Sequence, residues 1–263
     1  MPARDLDLLT AAAEEAGRIA RRFWRKNPKT WEKPGEGPVT EADMAVNRML
    51  IAELRAARPD YGWLSEETPD DSARLEHERV FIIDPIDGTR AFIAGEEHFS
   101  HALAIAERGR VIAAVVHLPI PKLTYAAMAD NPATLNGKPL TAQVGKGAAL
   151  ATAPAFAPEL WPGGVPPLRR AFRASLAWRM CLVAEGAYDA MLTFRPTWEW
   201  DAAAGALIAA QAGAVVTDTE GDAPCFNRPD PRVRGLILAP PDLHADLMAR
   251  RRGPGLQSVA IPI

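Results

Sequence analysis

The sequence predicts a mixed α/β protein of the α+β kind. Three observations carry this: an amphipathic helical pattern opens the chain, a block of apolar strand segments joined by tight turns fills its middle, and an alanine-rich helix running directly into another strand closes the patterned region.

In order, residues 5–25 place Leu9, Ala12, Ala13, Ala16, Ile19, Ala20 and Phe23 at helical spacing, and Asn27-Pro28 ends the run. An irregular stretch, KPGEGP at 33–38, leads to Thr40-Glu41-Ala42-Asp43. Threonine followed three residues later by an acid matches a capping box, so a second helix is expected to about Ala57. Strands are expected at 80–84 (VFIID), 101–107 (HALAIAE), 111–119 (VIAAVVHLP) and 124–129 (TYAAMA), with Arg108-Gly109-Arg110 closing a hairpin. Asn136-Gly137 marks a turn, and the Pro/Gly-rich stretch 153–167 reads as surface loop. Residues 203–213 form the alanine-rich helix, ending at Gly213, before the strand 214–218. No linker separates two halves; a division into residues 1–135 and 136–263 is read as one compact unit.

The 263 residues suffice for a sizeable core, and 48% hydrophobic with 24% charged residues excludes disordered and fibrous classes. A formal net charge of -3 gives no broad attraction to a nucleic acid polymer or an anionic membrane. Without a membrane-length apolar run or a signal-peptide core, a cytoplasmic location is expected. Cys181 and Cys225 are too few and too far apart in sequence for a disulfide framework or a paired zinc site.

The chemistry concentrates in FIIDPIDGT, residues 81–89. A buried strand ends on Asp84, Pro85 removes a ladder hydrogen bond, and the chain is expected to leave the sheet there. Two carboxylates this close repel unless a cation lies between them, and a hard divalent ion such as Mg²⁺ favours such oxygens. Gly88 allows close backbone approach, Thr89 supplies a hydroxyl, and a helical turn starting at Thr89 would face an anion. Further acids stand at Glu66 and Glu67 in LSEET, at Asp201 in PTWEWDAAAG and at Asp43. Taken singly, Asp43 reads as the acid of a capping box, Glu66 and Glu67 as solvated loop charges, and Asp201 as a helix N-terminal acid, with Trp200 as core. His98 and His101 lack a nearby third ligand and read as structural. Haloacid-dehalogenase phosphatases also end a strand on aspartates before Gly-Thr, but theirs are separated by one residue. Here Pro85 and Ile86 intervene, which disfavours a covalent mechanism.

VTEAD, DPIDGT and WDAAAG, in this order and with an acidic pair between the first two, resemble the magnesium-dependent, lithium-sensitive inositol monophosphatase superfamily over roughly Lys33 to Asn227. The resemblance implies a layered αβαβα sandwich of the inositol monophosphatase and fructose-1,6-bisphosphatase type. It makes Glu66, Asp84 and the carbonyl of Ile86 ligands of one Mg²⁺ and Asp84, Asp87 and Asp201 ligands of a second, with Glu66 near a third. Thr89, supported by Asp43, would orient the attacking water, with Glu66 also catalytic. Gly88 and Thr89 would offer N–H groups to phosphate, Lys33 matches a basic residue ahead of VTxxD, and Asp201 also borders the substrate. A homodimer is compatible with the resemblance, as is an inert phosphate- or metal-binding regulator.

Among the superfamily's substrates, CLVAEG followed by PTxEWD resembles the bacterial 3'(2'),5'-bisphosphate nucleotidases, which act on adenosine 3',5'-bisphosphate. Inositol monophosphatases usually carry a carboxylate seven residues before the WD aspartate; here Phe194 stands there. An apolar ring cannot accept hydrogen bonds from a polyol but can pack on a nucleobase. The usual DPLDGT-Lys-Glu-Phe is here DPIDGTRAF, and the glycine-rich segment before NG is altered. Arg90, Arg179 and Arg195 remain as basic candidates for a second phosphate.

Overall fold

The computed structural model describes residues 2–33 and 37–253; the centre of the irregular 33–38 stretch lies outside them. Helix α1, Pro2–Phe23, starts earlier than its apolar periodicity indicates and buries Leu9, Ala12, Ala13, Ala16 and Ala20. Strands β1, Thr30–Lys33, and β2, Gly37–Thr40, pair antiparallel and lead into α2, Glu41–Ala57. Both halves of the expected capping box are made, Thr40 receiving the Asp43 N–H while the Asp43 carboxylate receives the Thr40 N–H.

Seven strands build the first sheet: β3, Gly62–Ser65, β4, Arg79–Asp87, β5, Ser100–Glu107, β6, Arg110–Leu118, β7, Leu123–Met128, β8, Thr134–Leu135, and β9, Lys138–Pro139, neighbours in this order. Only β3 and β4 are parallel. Because Asn136-Gly137 closes the β8–β9 hairpin, this sheet runs past the 135/136 division. The short helix α3, Thr89–Ile93, sits between β4 and β5.

The smaller sheet has the order β11-β10-β12-β16-β14, from β10, Ala148–Ala151, β11, Arg169–Ala171, β12, Ala190–Thr193, β14, Val215–Thr217, and β16, Leu236–Ala239. A separate pair, β13, Thr197–Trp198, and β15, Arg232–Val233, lies beside the helix α5. Helices α4, Leu176–Ala184, and α5, Glu199–Gln211, are nearly all buried. Helix α6, Pro241–Arg252, completes the described chain.

Alternation along β4 sets the layers. Phe81 and Ile83 pack with α1 and α2, whereas Val80 and Ile82 pack with α4 and α5. On its far side the α4–α5 layer meets Leu150, Met191, Leu236 and Leu238 of the smaller sheet, whose opposite face takes Leu247 and Met248 of α6. The result is the expected αβαβα sandwich. Gly205 allows the two central helices to meet closely, since a Cβ there would lie 2.7 Å from the Met180 methyl and 3.0 Å from the Ala177 carbonyl oxygen.

One local expectation is corrected. The chain does not leave the sheet at Pro85: β4 continues to Asp87, with Asp84 opposite Ala102 and Asp87 opposite Ser100. Three steps on β4 span two on β5, a bulge that absorbs the missing proline N–H and re-aims the strand end.

Candidate active site

The bulge brings Asp84 and Asp87 together above the start of α5. Carboxylate oxygens of Asp84, Asp87 and Asp201 all lie within 4.8 Å of one another. Asp84 is wholly buried, and its Oδ1 has no hydrogen-bond partner. Burial, followed by the charges of Glu66, Asp87 and Asp201, pushes the Asp84 carboxyl well above the usual carboxylate range. Burial likewise raises Asp201, reinforced by Asp87 and Glu66. An orphaned, buried carboxylate oxygen amid like charges lacks only a cation, and the all-oxygen donor set fits a hard divalent ion.

Asp87 is treated differently. The Ser175 hydroxyl donates to its Oδ2 at 2.6 Å, and the N–H groups of Leu176 and Ala177 donate at 3.1 and 2.7 Å. The start of α4 is therefore built around this carboxylate. Burial raises the Asp87 pKa and these donors hold it back. Sequence reasoning missed Ser175, although a serine before an apolar run is an N-cap signal; its Oγ also accepts from the Trp178 N–H.

Glu66 follows β3, where its N–H donates to the Ile83 carbonyl oxygen. Lys33 from β1 reaches over to Glu67 at 2.9 Å and Glu66 at 3.4 Å. Burial raises Glu66 to about 7, Lys33 opposing and Glu67 adding to the rise. Thr89 Oγ1 lies 3.4 Å from Asp43 Oδ1 and 3.1 Å from the Ile86 carbonyl oxygen. Asp43 is thus both the capping-box acid and the partner of Thr89, and burial lifts its carboxyl to about 6. Gly88 adopts φ 99°, and a Cβ there would come within 3.0 Å of the His98 carbonyl oxygen, so the backbone requires glycine.

Beside this cluster opens a cavity of about 350 Å³, with Glu66, Gly88 and Thr89 on one side and Arg90, Arg179 and Arg195 among its other walls. Burial lowers Arg179 to about 10, which leaves it cationic at neutral pH, and Asp87 supports the charge. A larger cleft of about 690 Å³, containing Trp198 and Trp200, meets the cluster from Lys33, Glu66 and Glu67.

The structure brings together Asp43, Glu66, Asp84, Ile86, Asp87, Gly88, Thr89, Asp201, Lys33 and Arg179. Phe194 is engaged elsewhere. Its ring meets Trp161 edge-on at 5.4 Å and the Arg251 guanidinium at 4.7 Å, within the cluster under α6, and it is not among the residues lining the arginine-walled cavity. Phe194 thus packs with Trp161 and Arg251 rather than toward that cavity. Spacing from Asp201 located its position in the chain but not the side of the sheet it joins. His98 and His101 share no site: the His98 ring lies tilted against Trp178, with centroids 5.3 Å apart, and His101 Nδ1 bonds the Pro85 carbonyl oxygen inside the protein.

The inositol monophosphatase family profile matches residues 3–254. The chain is 33% identical over 82% of its length to the Nus factor SuhB of Pseudomonas aeruginosa, covering 86% of that protein. It is 31% identical, again over 82% of its length, to the 3'(2'),5'-bisphosphate nucleotidase CysQ of Escherichia coli, covering 91% of it. The solved inositol monophosphatase of Thermotoga maritima superposes with a TM-score of 0.80 at 26% identity, over 96% of this chain and 97% of that one. Among the described residues no helix is long and apolar enough to cross a membrane.

Proposed function

Since the chain belongs to the inositol monophosphatase family and is a metal-dependent phosphatase, we propose that it is a Mg²⁺-dependent phosphomonoesterase whose preferred substrate carries a second phosphate, with adenosine 3',5'-bisphosphate favoured over inositol phosphate. The observation that carries this reading is the arginine-walled cavity, which has Arg90, Arg179 and Arg195 among its lining residues together with Glu66, Gly88 and Thr89. A single phosphate already met by backbone N–H groups and cations needs no such surplus. A second, fixed phosphate does.

Glu66, Asp84 and the Ile86 carbonyl are assigned to one Mg²⁺, and Asp84, Asp87 and Asp201 to another, with Glu66 placed for a third. When bound, these ions supply charge neutralisation and Lewis-acid polarisation of a phosphoryl oxygen and of water. The remaining work falls to the chain. Thr89 Oγ1, 3.4 Å from Asp43 Oδ1, would take the proton of an attacking water while passing its own hydroxyl proton to the Asp43 carboxylate. Lys33 balances the charges of Glu66 and Glu67. Gly88 and Thr89 offer N–H groups to the scissile phosphate, and Asp87, fixed by Ser175 and the start of α4, keeps its place during turnover. Residues 1–135 and 136–263 act as one unit in this scheme, because Asp201 comes from the second part.

Inositol phosphate is the competing substrate, yet the position that would offer a carboxylate to its hydroxyls holds Phe194, turned toward Trp161. The test compares adenosine 3',5'-bisphosphate with adenosine 3'-phosphate, which lacks the second anion. A preference of about tenfold or more, matching a charge-assisted hydrogen bond, and its loss in Arg195→Gln, is the expected result. Equal kcat/KM values for the two would remove the second-phosphate assignment.

A further inference from the structure

The arginine-walled cavity has one apolar wall that its polar chemistry leaves unexplained. Phe172, directly after β11, is 47% exposed at the cavity and belongs to none of the hydrophobic clusters among the described residues. A large exposed ring beside a polar site contributes little to folding. Its placement is nonetheless fixed.

The Arg179 guanidinium carbon lies 4.3 Å from the Phe172 ring centroid. That guanidinium cannot swing away, because its Nε and Nη2 donate to the carbonyl oxygens of Arg173 and Ala174 at 2.5 and 3.1 Å. Arg173 pins the same segment from outside, donating to the Tyr188 hydroxyl at 3.0 Å with its guanidinium carbon 6.0 Å from the Trp178 ring centroid. Two residues further on, Ser175 holds Asp87. An aromatic ring backed by a cation is therefore held on a rigid segment tied to the acidic cluster. Such a surface loses little freedom when a flat group settles on it.

The geometry points to Phe172, backed by Arg179, as the stacking platform for the planar base of the substrate and as the residue that sets preference for nucleotides over non-aromatic phosphate esters. This rests on the bisphosphate-nucleotide reading above. Phe172 takes the part that Phe194, turned into the α6 cluster, does not. Base stacking is tolerant of base identity, because every base has a π-face, so adenine and other bases are accepted with little discrimination.

The test uses the full chain with Mg²⁺ and two substrates that differ only in the base: adenosine 3',5'-bisphosphate and 1-deoxyribose 3,5-bisphosphate. Wild type is expected to favour the nucleotide about tenfold or more in kcat/KM, mainly through KM. Phe172→Ala should bring the ratio of the two kcat/KM values close to one, and Phe172→Trp should keep it; reading the ratio cancels any general damage. If wild type itself does not distinguish the two substrates, the nucleotide reading falls and this inference with it. If wild type distinguishes them and Phe172→Ala does so equally well, the platform assignment alone is wrong.

Discussion

Asp84→Asn removes one charge from a cluster whose carboxylate oxygens lie within 4.8 Å of one another while changing almost no volume. At that separation and an effective dielectric of about 20, each ionised pair costs roughly 3.5 kcal/mol, and Asp84 takes part in two such pairs, with Asp87 and Asp201. Without metal, proton uptake relieves most of this, so the expected gain is about 2 kcal/mol, or roughly 4–8 °C in Tm for a chain of this size. The new amide can also donate to the neighbouring carboxylates. The assay is thermal unfolding in EDTA and in Mg²⁺, beside phosphate release. Wild type should be less stable than Asp84→Asn in EDTA and more responsive to Mg²⁺. The variant should lose on the order of 10³-fold in kcat/KM, equivalent to several kcal/mol of transition-state stabilisation. A variant destabilised in EDTA that still gains stability from Mg²⁺ would mean that Asp84 is a structural carboxylate, and the metal assignment would fail.

Other consequences are equally open to measurement. Ser175→Ala should cost about 1.5–3 kcal/mol in denaturant unfolding and raise the Mg²⁺ concentration needed for half-maximal activity, since Asp87 loses a charge-assisted donor at 2.6 Å; unchanged Mg²⁺ dependence would contradict its positioning role. In EDTA, stability should be fullest near pH 4.5 and fall toward pH 7 and just above. Folding raises Glu66 and Glu199 from 4.5 to about 7, so the native state holds protons that the unfolded chain has already released. Mg²⁺ should flatten the Glu66 share of that decline, and a metal-free profile that rises over the same window would contradict both shifts. Gly205→Ala should lower stability by about 1–3 kcal/mol, as its Cβ would meet the Met180 side chain and the Ala177 carbonyl oxygen; a neutral result in thermal unfolding would show that α4 and α5 can separate freely.

How much could be read from the sequence varied with how each element is buried. Helices α1 and α2 each pack one face on the first sheet, so their apolar spacing is visible, and the first sheet's strands are long and joined by clear turns. The helix α4 was not legible, because it lies between two sheets, is apolar nearly all round, and carries no periodic signal. Strands β10, β12 and β16 are four-residue runs buried throughout, which periodicity cannot separate from pieces of buried helix. Asp84 and Asp87 were legible from local chemistry alone, since strand, proline and Gly-Thr leave two acids without a structural reason. Asp43, Glu66 and Asp201 look ordinary in isolation and gained meaning only together. The β4 bulge, the Ser175 cradle and the direction of Phe194 leave no local signal, because each depends on what a distant segment places opposite.

A Mg²⁺-dependent preference for a bisphosphate nucleotide is measured by phosphate release from adenosine 3',5'-bisphosphate and inositol 1-phosphate across a Mg²⁺ titration. The proposed function predicts no turnover of either without a divalent cation and, at saturating Mg²⁺, a kcat/KM for the nucleotide at least about tenfold higher, roughly 1.4 kcal/mol of discrimination. Equal or better turnover of inositol 1-phosphate, or phosphate release that persists in EDTA, would contradict it.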